Sequence, residues 1–490
     1  MRETGPETAI APRDFDRFLA EAGRLLGPRG LTRDDDLVAP WLTDWRGRFT
    51  GRALAMASPA DTAEVAALVR LCAAHGVAIV PQGGNSGMCA GATPDESGAQ
   101  LLLSLRRLNA IGPVDVGARR VTAGAGAILE TLHGVAEAAG LRFPLTLGGK
   151  GSATVGGLVS TNAGGTQVLR HGTMRDQVLG LEAVLADGSV FSALTPLRKD
   201  NRGFDLKQVL IGSEGTLGIV TAATLALVPA VAARVVAWIG VASIHAAREL
   251  LVRFEGAAGE MALGESLEGF EIMPCHCLDA VLAHVPATRS PLAGAHPWHV
   301  LIECVADSAA AAGLRERVET ALAAALDAGL VEDATIAANE AQADAFWLLR
   351  DSVAPAERAQ GPAMQHDISV PVERMADFVI EAVPAIEARW PGTRAIAFGH
   401  LGDGNVHFHV LAPPGVEART WQENEGTAIS EDVYAMVTAW GGSISAEHGI
   451  GQLKRAALAR HGDPVALAVM ARVKAALDPQ GLLNPGKLVP

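Results

Sequence analysis

Apolar positions along the chain switch between two rhythms, and the switches mark its elements. Phe15, Phe18, Leu19, Ala22, Leu25 and Leu26 keep helical spacing and stop at Gly27-Pro28, which predicts an amphipathic N-terminal helix. A second helix starts near Ser58 or Asp61, buries Val65, Leu68, Val69 and Cys72, and ends at Gly76. A short apolar strand over 77–80 then runs into a glycine-rich loop. Residues 101–105 read as a strand and 128–139 as a helix closed by Gly140. Strands over 178–186 and 190–194 form a hairpin turning at Asp187-Gly188, a pair that tolerates positive φ. One more strand, 219–228, is closed by Pro229. Beyond it the glycine loops thin out. Alanine-rich helical stretches such as 308–328 alternate with strand-like runs such as 299–304, and a helix over 463–477 precedes the tail.

Length and composition narrow the class. At 490 residues, 49% hydrophobic and 19% charged, the chain is globular and too long for one hydrophobic core. Its formal net charge of −14 argues against a nucleic-acid partner, which needs a basic surface. The five cysteines, Cys72, Cys89, Cys275, Cys277 and Cys304, are scattered and odd in number, as free thiols in a reducing compartment would be. Cys275-His276-Cys277 is a metal-like fragment without a distant partner pair. Met1–Pro6 lacks the apolar stretch of a secretory signal, and no run reaches the roughly 18 apolar residues of a spanning helix. A cytoplasmic protein is expected, with peripheral contact at a membrane left open.

Two glycine loops carry the first chemistry. They are Pro81-Gln-Gly-Gly-Asn-Ser-Gly-Met-Cys-Ala-Gly91 and Gly148-Gly-Lys-Gly-Ser-Ala-Thr-Val-Gly-Gly157, the latter running on to Asn162-Ala-Gly-Gly165. Eight of the 25 residues from 148 to 172 are glycine, which lets a ligand approach the main chain. Consecutive N–H groups in such turns make concave anion sites. One such loop would pass as a tight turn; two in one domain, each beside a strand, point to a phosphate-bearing cofactor. No G-x-G-x-x-G occurs, so the dinucleotide fingerprint of doubly wound folds is absent. Gly481-Leu-Leu-Asn-Pro-Gly-Lys487 imitates a Walker A loop, but Leu488 replaces the Ser or Thr that would hold magnesium and no helix can follow.

The second chemistry lies in His400-Leu-Gly-Asp-Gly-Asn-Val-His407, with His409 two residues on, and in Ser445-Ala-Glu-His448. A tight turn can bring His400 and His407 together, and His407 and His409 share a strand face. Two imidazoles and a carboxylate suit zinc, manganese or a similar ion with open positions for a substrate. Spacing alone does not separate this set from a zinc hydrolase.

Taken with Gly212-Ser-Glu-Gly-Thr-Leu-Gly-Ile-Val220, Ser445-Ala-Glu-His-Gly-Ile-Gly451 and Asn484-Pro-Gly-Lys487, these motifs resemble, in order and spacing, one family. It is the FAD-linked oxidase family of the vanillyl-alcohol oxidase type, in its D-lactate, glycolate and D-2-hydroxyglutarate dehydrogenase branch. The likeness runs from about residue 40 to the C-terminus. It implies an α+β fold: an FAD-binding domain of two α+β subdomains over 1–228, an α+β cap or substrate domain with the metal site over 229–455, and a segment 456–490 returning to the FAD domain. It implies that Gly83, Gly84, Asn85, Ser86, Gly87, Met88 and Gly91 hold the pyrophosphate. Gly148, Gly151, Ser152, Thr154, Gly157, Asn162, Gly165 and Ile219 would line the rest of the FAD, with Asn484 near the ring. Asn85 stands where covalent members often carry His, so non-covalent FAD is expected.

By the same comparison His400, His407 and Glu447 match metal ligands for a divalent ion, zinc or manganese. His448 matches the catalytic base and Arg350 the arginine that grips a substrate carboxylate. D-2-hydroxyglutarate dehydrogenases add a Thr, a Lys and an Asn where this chain has Ala354, Gln365 and His409, which favours a different 2-hydroxy acid. The implied reaction is oxidation of a D-2-hydroxy acid to a 2-oxo acid with hydride transfer to flavin. Electrons then pass to electron-transfer flavoprotein, a quinone or a cytochrome, and a homodimer fits the branch. Three other readings are a flavin oxidase of a sugar or polyol using oxygen, a metal-dependent hydrolase, and a flavin-binding subunit without chemistry.

Overall fold

The computed structural model describes residues 14–197, 199–256 and 258–490, so the Met1–Pro6 stretch considered above lies outside the described residues. Three sheets organise them. In the first, four strands run in the order Leu31–Thr32, Ala55–Ala57, Leu101–Ser104, Ile79–Gln82, with the last three parallel. In the second, also four-stranded, the order is Arg120–Gly124, Ile219–Ala226, Val178–Val184, Val190–Ala193, all antiparallel. The third is a seven-stranded antiparallel sheet ordered Asp333–Ile336, Ala233–Val241, Trp298–Ala306, Leu267–Pro274, Arg394–His400, Asn405–Leu411, Ala363–Ser369. The architecture is α+β, and it belongs to the two-sheet FAD-binding plus cap type that the motifs suggested.

Local signals act as their chemistry dictates. The first helix spans Phe15–Leu26 and buries Phe18, Leu19, Ala22 and Leu26. The second, Thr62–His75, is capped by the Asp61 side chain and stopped by Gly76 at φ 64°, a left-handed conformation that glycine adopts without strain. The hairpin turns at Gly188, φ 76°. Several boundaries differ by one to a few residues, and three of the differences have a clear cause. The strand expected over 77–80 is Ile79–Gln82, because Ile79 pairs with both Leu101 and the C-terminal Leu483. The strand over 219–228 divides into Ile219–Ala226 and a separate Val228–Pro229 pairing with Leu141–Arg142. The helix expected from 308 begins at Leu314, after Gly313 at φ 78°.

Burial separates the apolar residues into clusters on either side of a short stretch. The largest draws on residues from Phe18 to Leu227 and adds only Leu483 from beyond. Two others, one on each face of the seven-stranded sheet, begin at Val235 and Val236. The tail rejoins the first cluster: Ile79 N–H donates to the Leu482 carbonyl at 2.8 Å, and Asn484 N–H to the Ile79 carbonyl at 2.8 Å.

Candidate active site

The glycine loops meet as packed walls. A methyl group added to Gly84 would lie 1.7 Å from the Ser152 carbonyl, and one on Gly83 would lie 2.1 Å from Thr154 Oγ1. Only glycine permits that approach. Gly165 is pressed in the same way against the Thr146 carbonyl, 2.2 Å from its missing Cβ. A cavity of about 340 Å³ opens along this contact, lined by Trp41, Gly84, Arg106, Gly151, Ser152 and Thr154 among others, and is of small-molecule size. Gly87 and Gly148 face open space. Thr154 Oγ1 and Asn484 Oδ1 are buried without a hydrogen-bond partner among the described residues, as expected of groups whose partner is a ligand. Donors, clefts and orphaned polar atoms fit a phosphate-bearing dinucleotide.

Several residues expected to touch the cofactor have structural work as well. Asn85, at φ 53°, donates from Nδ2 to the Thr43 carbonyl at 2.8 Å. Asn162 ends the Val155–Thr161 helix at φ 49°, and its Oδ1 accepts from Thr173 Oγ1 and Arg175 N–H at 3.0 and 2.9 Å. Asn484 Nδ2 donates to the Gly91 and Glu214 carbonyls at 2.9 and 2.7 Å. Ile219 opens its strand inside the core. Ser86, Met88 and Gly157 are half-buried on the loops themselves.

One face of the seven-stranded sheet builds the second half of the site. Antiparallel register sets Glu271 opposite His400 and Asp367 opposite His407, while strand alternation sends all four side chains to one side. Ligand atoms of His400, His407 and Glu447 lie within 4.8 Å of one another. His400 Nδ1 is 2.5 Å from Glu271 Oε1, which turns Nε2 towards the centre of that group. Burial pushes the Glu271 carboxyl up, but Arg350 and His400 outweigh burial and hold it down at about 2. Burial, with the nearby Asp367 and Asp403 charges, outweighs His400 and Arg350 and pushes Glu447 up to about 7. Two imidazoles and a carboxylate with an open side form a donor set that fits a zinc-like ion.

Arg350 donates from Nε to Glu271 Oε2 at 2.9 Å, and its Nη2 lies 3.2 Å from His400 Nε2. His448 is held low, at about 4, chiefly by burial, so its ring is neutral at pH 7. His409 stands apart from the ligand group, paired through Nδ1 with the fully buried Glu357. Cys275, His276 and Cys277 open the Cys275–His284 helix and join no metal-competent cluster among the described residues.

The two halves touch. A Cβ on Gly164 would lie 3.4 Å from Glu447 Oε1. Cys89 Sγ donates to the Gly449 carbonyl at 3.2 Å, and Gln452 Nε2 donates to the Ala90 and Thr93 carbonyls at 2.9 and 2.8 Å. Glu214 accepts from the Ile450 and Gly451 N–H groups at 2.7 and 2.8 Å. Segment 447–452 is thus clamped onto both glycine loops. Sequence reasoning missed Glu214, Glu271 and Asp367. Glu214 lies in the 212–220 glycine motif, Glu271 shares its strand with Glu268 and Asp367 sits among polar residues, so no local signal set them apart.

A nucleotide cradle abutting a cluster of acid–base and metal-competent groups defines a flavoprotein redox site. The sequence matches the FAD binding domain over residues 53–193 and the C-terminal domain of FAD linked oxidases over 231–488, and the chain belongs to the FAD-linked oxidase family. It is 38% identical to the D-2-hydroxyglutarate dehydrogenase, mitochondrial, of Rattus norvegicus, across 94% of this chain and 83% of that protein. It is 36% identical to the D-2-hydroxyglutarate dehydrogenase of Xanthomonas citri pv. viticola, across 91% of each. The fold is shared with 4-ethylphenol oxidase from Gulosibacter chungangensis at TM-score 0.69 and 18% identity, covering 99% of this chain and 98% of that one. Among the described residues no helix is long and apolar enough to cross a membrane.

Proposed function

We propose that this flavoenzyme oxidises a D-2-hydroxy acid to the 2-oxo acid, assisted by a divalent metal, and passes electrons to an acceptor other than NAD. The observation that carries the reading is the position of Glu447, which lies against Gly164 of the second glycine loop, groups with His400 and His407, and also groups with Asp367 and its neighbour His448. Non-covalent FAD, seated along Gly83–Gly91, Gly148–Gly157 and Asn162–Gly165, supplies hydride acceptance. A zinc or manganese ion on His400, His407 and Glu447 would supply Lewis acidity at the substrate hydroxyl.

The protein's own groups do the rest. His448, neutral and half-buried, takes the hydroxyl proton at the ring nitrogen turned away from Asp367. Arg350, anchored on the Glu271 carboxylate through Nε and Nη2, keeps the Nη1 edge of its guanidinium for the substrate carboxylate. Segment 447–452, packed on the loops, excludes water from the space between. Residues 1–228 and 229–455 divide these tasks, and 456–490 closes the cradle from behind. The relatives named for D-2-hydroxyglutarate support the class of acid. The Ala354, Gln365 and Glu357-bound His409 positions favour a substrate without a second gripped carboxylate. Five free thiols support a reducing compartment such as the cytoplasm.

The test is a panel of D- and L-2-hydroxy acids, including D-lactate and D-2-hydroxyglutarate, assayed with an artificial dye acceptor. D-enantiomers alone are expected to reduce the dye, and chelation is expected to abolish turnover until zinc or manganese is restored. Full activity after verified metal removal would void the ligand assignment. Hydrogen peroxide formed in step with turnover would favour an oxidase, and a colourless protein a hydrolase.

A further inference from the structure

Asp367 is a buried carboxylate of the site that pairs with neither Arg350 nor His400. It is 3% exposed, on the Ala363–Ser369 strand. Its Oδ2 accepts the backbone N–H groups of Glu447 and His448, each at 2.9 Å, and lies 3.3 Å from His448 Nδ1. Its Oδ1 accepts from Asn405 Nδ2 at 2.8 Å. Lys454 Nζ, buried below, donates to the backbone carbonyls of Asp367 and Ile444 at 3.2 and 2.9 Å, fixing the strand under the 445–448 turn. Asp367 also falls with Glu447 and His448 in a compact donor group. Its oxygens are nonetheless committed to three N–H donors, which makes it a poor metal ligand and a rigid hydrogen-bond acceptor.

We infer that Asp367 is the positioning residue of the His448 base: it holds Nδ1 protonated and turned inward, so that the Nε2 lone pair faces the substrate hydroxyl. The inference rests on the dehydrogenase reading above. Two backbone contacts fix the main chain of the base and its neighbour, and the carboxylate beside Nδ1 selects the tautomer. The proton taken at Nε2 then leaves an imidazolium with a carboxylate at its back. Asp367 acts through His448 and does not contact substrate.

Anaerobic reduction of bound flavin by the preferred D-2-hydroxy acid tests this, in holoenzyme carrying Asp367→Asn, His448→Ala or both. Asp367→Asn is expected to slow bleaching per bound flavin by roughly 10- to 100-fold. The half-saturating substrate concentration should stay within about threefold, because the carboxylate grip lies elsewhere. Adding Asp367→Asn to His448→Ala should cost almost nothing further, since residues acting as one unit are non-additive. A merely structural Asp367 would instead lower the rate equally in both backgrounds, and that result overturns the inference while leaving the base in place. Full-rate bleaching by His448→Ala alone would remove the base, and Asp367's role with it. Should Asp367→Asn lose FAD, Asn405→Ala, which frees Oδ1, is measured in the same cycle. Loss in that variant that adds fully to His448→Ala likewise overturns the inference.

Discussion

His448 combines two properties that a proton acceptor needs and that pull against each other. Burial keeps the ring neutral at pH 7, and Asp367 alongside stabilises the charge that arrives with the proton. His448→Ala should therefore retain FAD but slow flavin bleaching by about a hundredfold or more, followed at the flavin absorbance band in stopped flow. Near-normal bleaching would exclude the residue as base. At this scale the histidines were legible, because imidazoles clustered beside Gly-Asp-Gly are rare and chemically pointed. Their carboxylate supports were not. Glu271 sits in Leu267–Pro274 and Asp367 in Ala363–Ser369, far from the histidines in sequence, and only antiparallel register sets them opposite His400 and His407. Nothing local in a strand announces which residue will face it.

Among the elements, the second glycine loop depends on how its helix ends. Val155–Thr161 stops at Asn162 in a left-handed conformation, φ 49° and ψ 52°, and the Asn162 amide carbonyl takes donors from Thr173 and Arg175. That one side chain stops the helix and pins the segment that follows Gly165. Asn162→Ala loses both hydrogen bonds and, with them, the side chain that lets Asn hold a left-handed backbone, a destabilisation of about 1–3 kcal/mol. It should lower the urea midpoint and the FAD content together, whereas Asn162→Gly should lose less stability because its backbone tolerates the turn. Equal losses in the two variants would show that the conformation is not the controlling feature. Positive-φ glycines, at the helix stop Gly76 and the hairpin turn Gly188, could be read from composition. Strand ends could not, since Ile79 takes its limits from Leu101 and Leu483, partners remote in sequence.

For the whole molecule, the question is what keeps cradle and cluster in register across two sets of cores. Besides the Glu214 clamp, one ion-pair centre spans them. Glu268, on a strand of the seven-stranded sheet, has a side chain only 3% exposed. It accepts from Arg142 Nη1 and Nη2 at 2.6 and 2.5 Å and from Arg170 Nη1 at 3.2 Å, with His171 at 3.5 Å. Arg142 and the Val168–His171 helix belong to the chain before Leu227, so this carboxylate ties the two halves together. Burial pushes Glu268 up, but Arg142 and His171 outweigh it and bring the carboxyl from 4.5 down to about 2. A folded pKa below the unfolded one means stability present above about pH 4.5 and lost as pH falls towards 2. At 1.36 kcal/mol per unit the contribution is on the order of 3 kcal/mol. Glu268→Gln should accordingly be less stable than the parent at pH 7, with the gap in urea midpoint narrowing as pH falls from about 4.5 towards 2. A gap of equal size at pH 7 and pH 3 would mean that the substitution acts through packing alone and that the halves are held by the Glu214 clamp and the returning tail.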